Sequence, residues 1–173
     1  SNFSAWQLTH LQSHLPAGSL LHAAQYEYSL LQRGIEREVL PAASSLGIGM
    51  LAWSPLGRGV LTGKYRNSIP ADSRAASPHW GAFTRALMTE SHRPIVEALA
   101  AASQGLGTSL LDVALTWVRQ SPYVASAITG ARTAAQLRAL LATQDTVLPS
   151  EIIAALNDVS ALQSQDLAAA AMG

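Results

Sequence analysis

One stretch of the sequence combines the pattern of a buried strand with groups that can bind an anion: GMLAWSPLGRGVLTGKY, residues 49–65. Its first part is apolar and ends in the aromatic Trp53, and its second part is rich in glycine and contains Arg58 and Lys64. Backbone N–H groups beside glycines, together with positive side chains, can hold phosphate oxygens. An ordinary strand followed by turn glycines has the same pattern, so this stretch alone leaves both interpretations open.

Apolar periodicity predicts the elements that would position this loop. A strand, about a dozen helical residues and a second strand within roughly 30 residues are typical of a βαβ unit, so we expect neighbouring strands to be parallel. The irregular residues 66–83 are longer than most loops of compact domains, and loops of this length are usually either functional or disordered. We predict helices over about 5–14, 34–46, 90–104, 108–120 and 133–142, the fourth of them capped by Thr108, and a last helix capped by Ser150. The predicted strands cover 20–26, 50–53 and 124–129.

The composition excludes several classes of function. The chain has 173 residues, no net charge and only 13% charged residues, so it lacks the basic surface expected of a nucleic-acid or acidic-lipid ligand. It has no cysteine and its five histidines show no metal-ligand spacing, so we expect no metal site. No apolar run reaches the ~18 residues of a membrane span and no signal peptide is recognisable, so we expect a cytoplasmic protein. A neutral surface also favours self-association.

Several separated segments together resemble the aldo-keto reductases, and most closely the bacterial branch that includes relatives of the potassium-channel β-subunits. They follow the order and spacing of that family and cover nearly the whole chain. The segments are SNFS (1–4), QYEYSLL with Arg33 (25–33), WSPLG with LTGKY (53–65), ALTWV (114–118) and GART with Gln136-Leu137 (130–137).

The resemblance implies an α/β fold that is the C-terminal portion of a (β/α)8 TIM barrel. The chain would run from the end of the fifth barrel strand onward and contribute three parallel strands with flanking helices. Residues 1–163 would form this partial domain, and residues 164–173 a low-complexity tail. An unrelated TIM barrel with a phosphate site near its last strands is the alternative fold assignment.

The resemblance also implies a site for NADPH, in preference to NADH. Two strand-end amides and a hydroxyl would hold the nicotinamide carboxamide, an aromatic ring would stack on the nicotinamide, and the Gly-rich loop would wrap the pyrophosphate. A third segment would bind the adenosine end and its 2′-phosphate. The resemblance assigns Ser1, Asn2 and Gln25 to the carboxamide and Trp53 to the nicotinamide ring. It assigns Ser54, Pro55, Leu56, Gly57, Arg58 and Lys64 to the pyrophosphate, and Gly130, Arg132 and Gln136 to the adenosine end.

Other interpretations of these residues stay open. Gln136 is also well placed to cap the helix that begins after Thr133. Trp53 could be an ordinary core residue, and Gln25 could simply bind a backbone group. The family commonly carries Glu and Asn, which hold the adenine, where this chain has Ala139 and Leu140.

The resemblance implies an NAD(P)H-dependent oxidoreductase that reduces a small aldehyde or ketone to an alcohol. The family's catalytic Asp, Tyr, Lys and His belong to its earlier strands, and none of Tyr26, Tyr28, Tyr65 and Tyr123 matches the tyrosine motif. We therefore assign no catalytic residue and expect this chain alone to be inactive, pairing with a missing N-terminal half. The alternative is a non-catalytic half-barrel that binds nucleotide or associates with itself.

Overall fold

A three-stranded parallel sheet organises the computed structural model, which describes residues 1–161. The strands, in chain order and in spatial order, are β1 (Ala23–Glu27), β2 (Gly49–Trp53) and β3 (Val124–Ile128). Glu27 lies opposite Trp53, and Trp53 lies opposite Ile128. The carboxyl ends of all three strands therefore meet at one edge of the sheet, and the predicted α/β fold with three parallel strands is confirmed.

Helices pack against one face of this sheet. Those of the described part are α1 (Ala5–Ser13), α2 (Val39–Ser45), α3 (Gly81–Arg85), α4 (Arg93–Leu106), α5 (Leu110–Arg119), α6 (Ala134–Leu141) and α7 (Ser150–Val159). Short 3₁₀ turns occur at Gly34–Glu36, Gly57–Thr62 and Arg74–Ala76. The helix α5 is buried at every residue from Val113 to Val118, which is typical of a helix that is covered on most sides.

The two faces of the sheet have different environments because successive side chains of a strand alternate. Tyr26, Met50 and Ala52 lie on one face and are buried against the helices. On the other face Gln25 and Trp53 are only half-buried, and Ile128 is 41% exposed. Within residues 1–161, this second face is therefore not covered by a second layer.

The helix predicted over residues 34–46 is divided in two. A 3₁₀ turn covers Gly34–Glu36, Glu38 has a non-helical φ of −133°, and α2 begins only at Val39. Pro41 explains the break: in a continuous helix its ring would clash with the carbonyl of Arg37, and it has no N–H to donate. Because α2 begins at Val39, Pro41 lies in the first turn of the helix, where neither cost applies.

Two predicted caps are displaced by one residue. Ser109, rather than Thr108, caps α5 by accepting a hydrogen bond from the Asp112 N–H at 3.1 Å. Pro149, rather than Ser150, precedes α7. The irregular region also contains more structure than the sequence predicts, since Arg74–Ala76 and α3 lie within or at the end of it.

The predicted boundary at residue 163 and the tail 164–173 lie outside the described residues. Within residues 1–161, no single helix is both long and apolar enough to cross a membrane; α4 and α5 reach that length only together, and they meet at 101°.

The Arg33 side chain ties the loop after β1 to the last helix. It forms two hydrogen bonds to Glu36, at 2.8 Å each, and its Nη1 donates to the Asn157 carbonyl oxygen and the Ser160 hydroxyl. The Tyr28 hydroxyl donates to the same Glu36 carboxylate at 2.7 Å. The loop after β1 therefore holds α7 in place through Arg33.

This network predicts a pH effect on stability. Burial, and then the hydrogen bond to Glu36, raises the pKa of the Tyr28 hydroxyl well above its ordinary value of 10.0. Because the folded-state pKa is the higher one, the stabilisation is complete below about pH 10 and is lost as the pH rises further. Above pH 10, the free energy of unfolding should therefore fall more steeply in the unmodified chain than in Tyr28→Phe. The two slopes should differ by up to about 1.4 kcal/mol per pH unit. Urea denaturation between pH 9 and 11 measures both slopes, and equal slopes would contradict this prediction.

Candidate functional site

A groove of about 370 Å³ lies at the carboxyl edge of the sheet, where β2 and β3 end. We call it the strand-end groove. In doubly wound and barrel folds, ligands bind at this edge of a parallel sheet. Its lining residues are Ser54, Pro55, Leu56, Arg58, Gly59, Thr62, Lys64, Arg74, Leu111, Ile128, Thr129, Gly130, Arg132, Gln136, Ala139 and Leu140.

The charges of the strand-end groove are all positive. Lys64, Arg74 and Arg132 line it and are exposed, and none of them forms an ion pair within residues 1–161. No carboxylate of the described part lines the groove. Cations without counter-charges favour an anionic ligand, and guanidinium groups match the geometry of phosphate oxygens.

Arg74 is a lining residue that the sequence analysis did not identify. It lies in the 3₁₀ turn Arg74–Ala76 of the irregular region, 21 positions after Trp53. The signal that could have found it is the length of this loop, which is typical of functional or disordered segments, combined with the few positive residues that the loop contains. Its position at the groove follows from the tertiary fold.

The loop that follows β2 has an unusual backbone. Ser54, Gly57, Arg58 and Gly59 all have positive φ angles, of 51°, 54°, 57° and 94°. Gly57 is buried, and a Cβ atom at this position would lie 2.9 Å from Leu31 Cδ1. The N–H groups of Gly57 and Gly59 donate to the carbonyl oxygens of Ser54 and Leu56, so both glycines use these groups to close turns within the loop.

Arg58 is bound to protein groups on each side of its guanidinium. It forms a bidentate ion pair with Glu27, at 2.7 and 2.9 Å, and donates to the Phe83 carbonyl oxygen at 2.6 Å. Its Cζ lies 3.4 Å from the centre of the Phe83 ring. Arg58 lines the groove, but in this arrangement its charge is balanced by Glu27, and it fastens the loop to the end of β1 and to α3.

Lys64 and Arg132 enclose the groove from different segments. A Cβ atom on Gly59 would lie only 3.0 Å from the Lys64 ammonium, so a glycine at 59 leaves room for this side chain over the loop. Arg132 donates through Nη2 to the Asp72 carbonyl oxygen at 2.8 Å, which connects the loop after β3 to the irregular region. Positive groups from three segments therefore converge on one groove.

Asn2, Gln25 and Trp53 form a second cluster at the carboxyl ends of β1 and β2. The Asn2 backbone N–H donates to the Gln25 carbonyl oxygen at 3.0 Å, and the Trp53 indole N–H donates to Asn2 Oδ1 at 3.1 Å. Ser1 is exposed next to this cluster in the chain. The structure therefore brings together the positions that the resemblance assigns to the nicotinamide end.

Gln136 adopts the capping arrangement. Thr133 accepts a hydrogen bond from the Gln136 N–H at 3.2 Å, and Gln136 Oε1 accepts one from the Arg132 N–H at 2.8 Å. Its side-chain oxygen is thus used inside the loop, while the side chain still lines the groove beside Gly130.

Neither a tyrosine nor a cluster of metal-binding side chains lines the groove within residues 1–161. Tyr26, Tyr28 and Tyr65 are buried in the core, and Tyr123 precedes β3 at the opposite edge of the sheet. Among the same residues there is no group of three or more His, Cys, Asp or Glu side chains that could hold a metal ion.

Comparison with known proteins agrees with the α/β fold and its parallel sheet. The model of the aldo/keto reductase family matches residues 1–161, which is the whole described part. The chain belongs to the aldo/keto reductase family. This assignment makes the fold part of a barrel of which the three strands form one side.

Three relatives indicate which branch of the aldo/keto reductase family is similar. The uncharacterized oxidoreductase YrpG of Bacillus subtilis (strain 168) is 39% identical over 161 residues, which are 92% of this chain and 47% of that protein. A probable voltage-gated potassium channel subunit beta of Oryza sativa subsp. japonica is 41% identical over 109 residues, or 62% and 33% of the two chains. The L-glyceraldehyde 3-phosphate reductase of Escherichia coli (strain K12) is 35% identical over 121 residues, or 68% and 34%.

The chain spans about half of the length of the Bacillus relative and about a third of the other two. Family membership and these relatives support an oxidoreductase as the class of enzyme.

Proposed function

We propose that this chain is the cofactor-binding half of an NAD(P)H-dependent reductase of small aldehydes or ketones, with NADPH preferred. The observation that carries the proposal is the strand-end groove, with Lys64, Arg74 and Arg132 unopposed by a carboxylate in the described part. A dinucleotide phosphate carries several negative charges, and this donor set fits them. The adjacent Asn2–Gln25–Trp53 cluster supplies an aromatic face and amide groups.

The proposed roles divide the cofactor between these two regions. Lys64, Arg74 and Arg132 bind phosphate oxygens, while Arg58 fastens the loop Ser54–Gly59 to Glu27 and Phe83. Trp53 presents its ring to the nicotinamide, and the side chains of Ser1, Asn2 and Gln25 bind its carboxamide. Such a cofactor, when bound, supplies a hydride to the substrate carbonyl.

The groups that would protonate the product come from elsewhere in this proposal. Within residues 1–161 none of the tyrosines lines the strand-end groove. The relatives are about two to three times as long as the segment they share with this chain. We therefore place the proton-donating residues and most of the substrate pocket in an N-terminal half that completes the barrel around the half-exposed face of the sheet.

Cofactor binding by the 173-residue chain tests this proposal. With half of the site missing, we expect weak binding of NADPH, with a dissociation constant on the order of 1 mM, and weaker binding of NADH. Lys64→Met and Arg132→Met should each lower the affinity for NADPH about tenfold, because each removes one charge-assisted contact. Ligand-observed NMR measures these dissociation constants and how they depend on salt concentration. Arg138→Met is the control, because Arg138 lies on α6 but does not line the groove.

If both groove variants retain full affinity for NADPH, the groove is not the phosphate site. The same preparation should not oxidise NADPH in the presence of an aromatic aldehyde. Turnover by the chain alone would show that it contains its own proton donor, and would refute the proposed division between two halves.

A second candidate is a non-catalytic half-barrel that associates with itself. The specific observation in its favour is the uncovered sheet face, together with β1 and β3, which are edge strands in the described part. Light scattering distinguishes the candidates: a stable, soluble oligomer that does not bind NADPH favours this one.

A further inference from the structure

One wall of the strand-end groove is apolar. Leu111 of α5 and Ala139 and Leu140 of α6 form it, and Leu140 is only 8% exposed. A flat heterocyclic base can pack its faces on such a wall, whereas the phosphates it carries need the positive side of the groove. The apolar wall is therefore the part of the groove that suits a base.

The side-chain acceptor nearest to this wall along the chain is already in use. Gln136 Oε1 accepts the hydrogen bond from the Arg132 N–H, and the Arg132 guanidinium donates to the Asp72 carbonyl oxygen. The Thr129 hydroxyl belongs to the end of β3 rather than to the wall formed by α5 and α6. Within residues 1–161, neither Ala139 nor Leu140 offers an acceptor to a base edge.

We propose that this chain binds the purine of its cofactor by its faces alone and does not distinguish adenine from hypoxanthine. The inference rests on the proposed function, because it assumes that a nicotinamide dinucleotide occupies the groove. Adenine and hypoxanthine differ only at one edge, where a 6-amino donor is replaced by a 6-oxo acceptor and a protonated N1. A site discriminates between such edges only when it places a hydrogen-bonding group against them.

The experiment compares NADPH with its hypoxanthine analogue on the 173-residue chain, by competition in ligand-observed NMR. The two dissociation constants are expected to agree within about twofold, whereas a site with one edge contact would separate them by about tenfold or more. If both bind and NADPH is favoured fivefold or more, this inference is overturned while the proposed function stands. If neither binds, the proposed function fails, and this inference fails with it.

A gain of selectivity provides the second measurement. Ala139→Glu places a carboxylate acceptor on the apolar wall, and it should favour NADPH over the hypoxanthine analogue by about five- to tenfold. Leu137→Glu is the matched control, because it makes the same change of charge on α6 at a half-exposed residue outside the groove. An unchanged ratio in Ala139→Glu would show that the base does not lie against this wall and would overturn the inference.

Discussion

Replacing Glu27 with alanine is expected to lower the free energy of unfolding by about 3 kcal/mol, because it leaves the Arg58 guanidinium buried without its counter-charge. The side chains of this pair are only 9% and 17% exposed, for Arg58 and Glu27 respectively. The bidentate geometry adds two hydrogen bonds to the charge interaction. Urea denaturation followed by circular dichroism measures the loss.

The matched control is Glu97→Ala, which removes the acidic partner of Arg66. That pair is also bidentate, but its side chains are 40% and 48% exposed, so water can replace the lost partner. We expect no measurable change in stability there. Equal losses in the two variants would show that burial is not what makes the Glu27 pair important.

A double variant tests whether the unpaired charge causes the loss of stability in Glu27→Ala. In Glu27→Ala/Arg58→Met the unpaired charge is gone while an apolar side chain remains available to pack on Phe83. This variant should therefore be more stable than Glu27→Ala alone, as expected when removing one partner of a buried pair costs more than removing both. If the double variant is less stable than Glu27→Ala, the cost does not come from an uncompensated charge.

Gly57→Ala is expected to destabilise the chain by about 3 kcal/mol through two additive effects. At a φ of 54°, an L-residue costs about 1–2 kcal/mol relative to glycine. The new Cβ would also lie 2.9 Å from Leu31 Cδ1 and 3.3 Å from Leu61 Cγ, and overpacking of this kind costs about 1–3 kcal/mol. Since Gly57 lies within the loop Ser54–Gly59 that lines the groove, NADPH binding should weaken in parallel with stability.

Gly47→Ala separates the two effects. Gly47 also has a positive φ, of 68°, but a Cβ atom there would meet nothing within 4 Å. Its substitution should therefore cost only the backbone strain of about 1–2 kcal/mol and leave NADPH binding unchanged. If Gly47→Ala is as destabilising as Gly57→Ala, the close approach to Leu31 does not matter.

The sequence predicted the sheet because the evidence for it is local. Short apolar runs separated by helical patterns indicate buried parallel strands, and β2 was located to within a residue by the run that ends at Trp53. The division of the helix over residues 34–46 also has a local cause, because Pro41 disfavours a continuous helix through this segment. Motif resemblance identified the family, and the family comparison confirms it.

The tertiary structure decided which positive side chains remain available to bind a ligand in the strand-end groove. Arg58 pairs with Glu27, 31 positions earlier, and Arg132 binds the carbonyl of Asp72, 60 positions earlier. Arg74 reaches the same groove from the irregular region. Periodicity and short motifs describe neighbours along the chain, whereas these contacts depend on which strand ends and loops the folded sheet places side by side. The sequence alone therefore determined that residues 49–65 form a strand followed by a glycine-rich basic loop, and only the fold showed that Lys64, Arg74 and Arg132, rather than Arg58, carry its unbalanced charge.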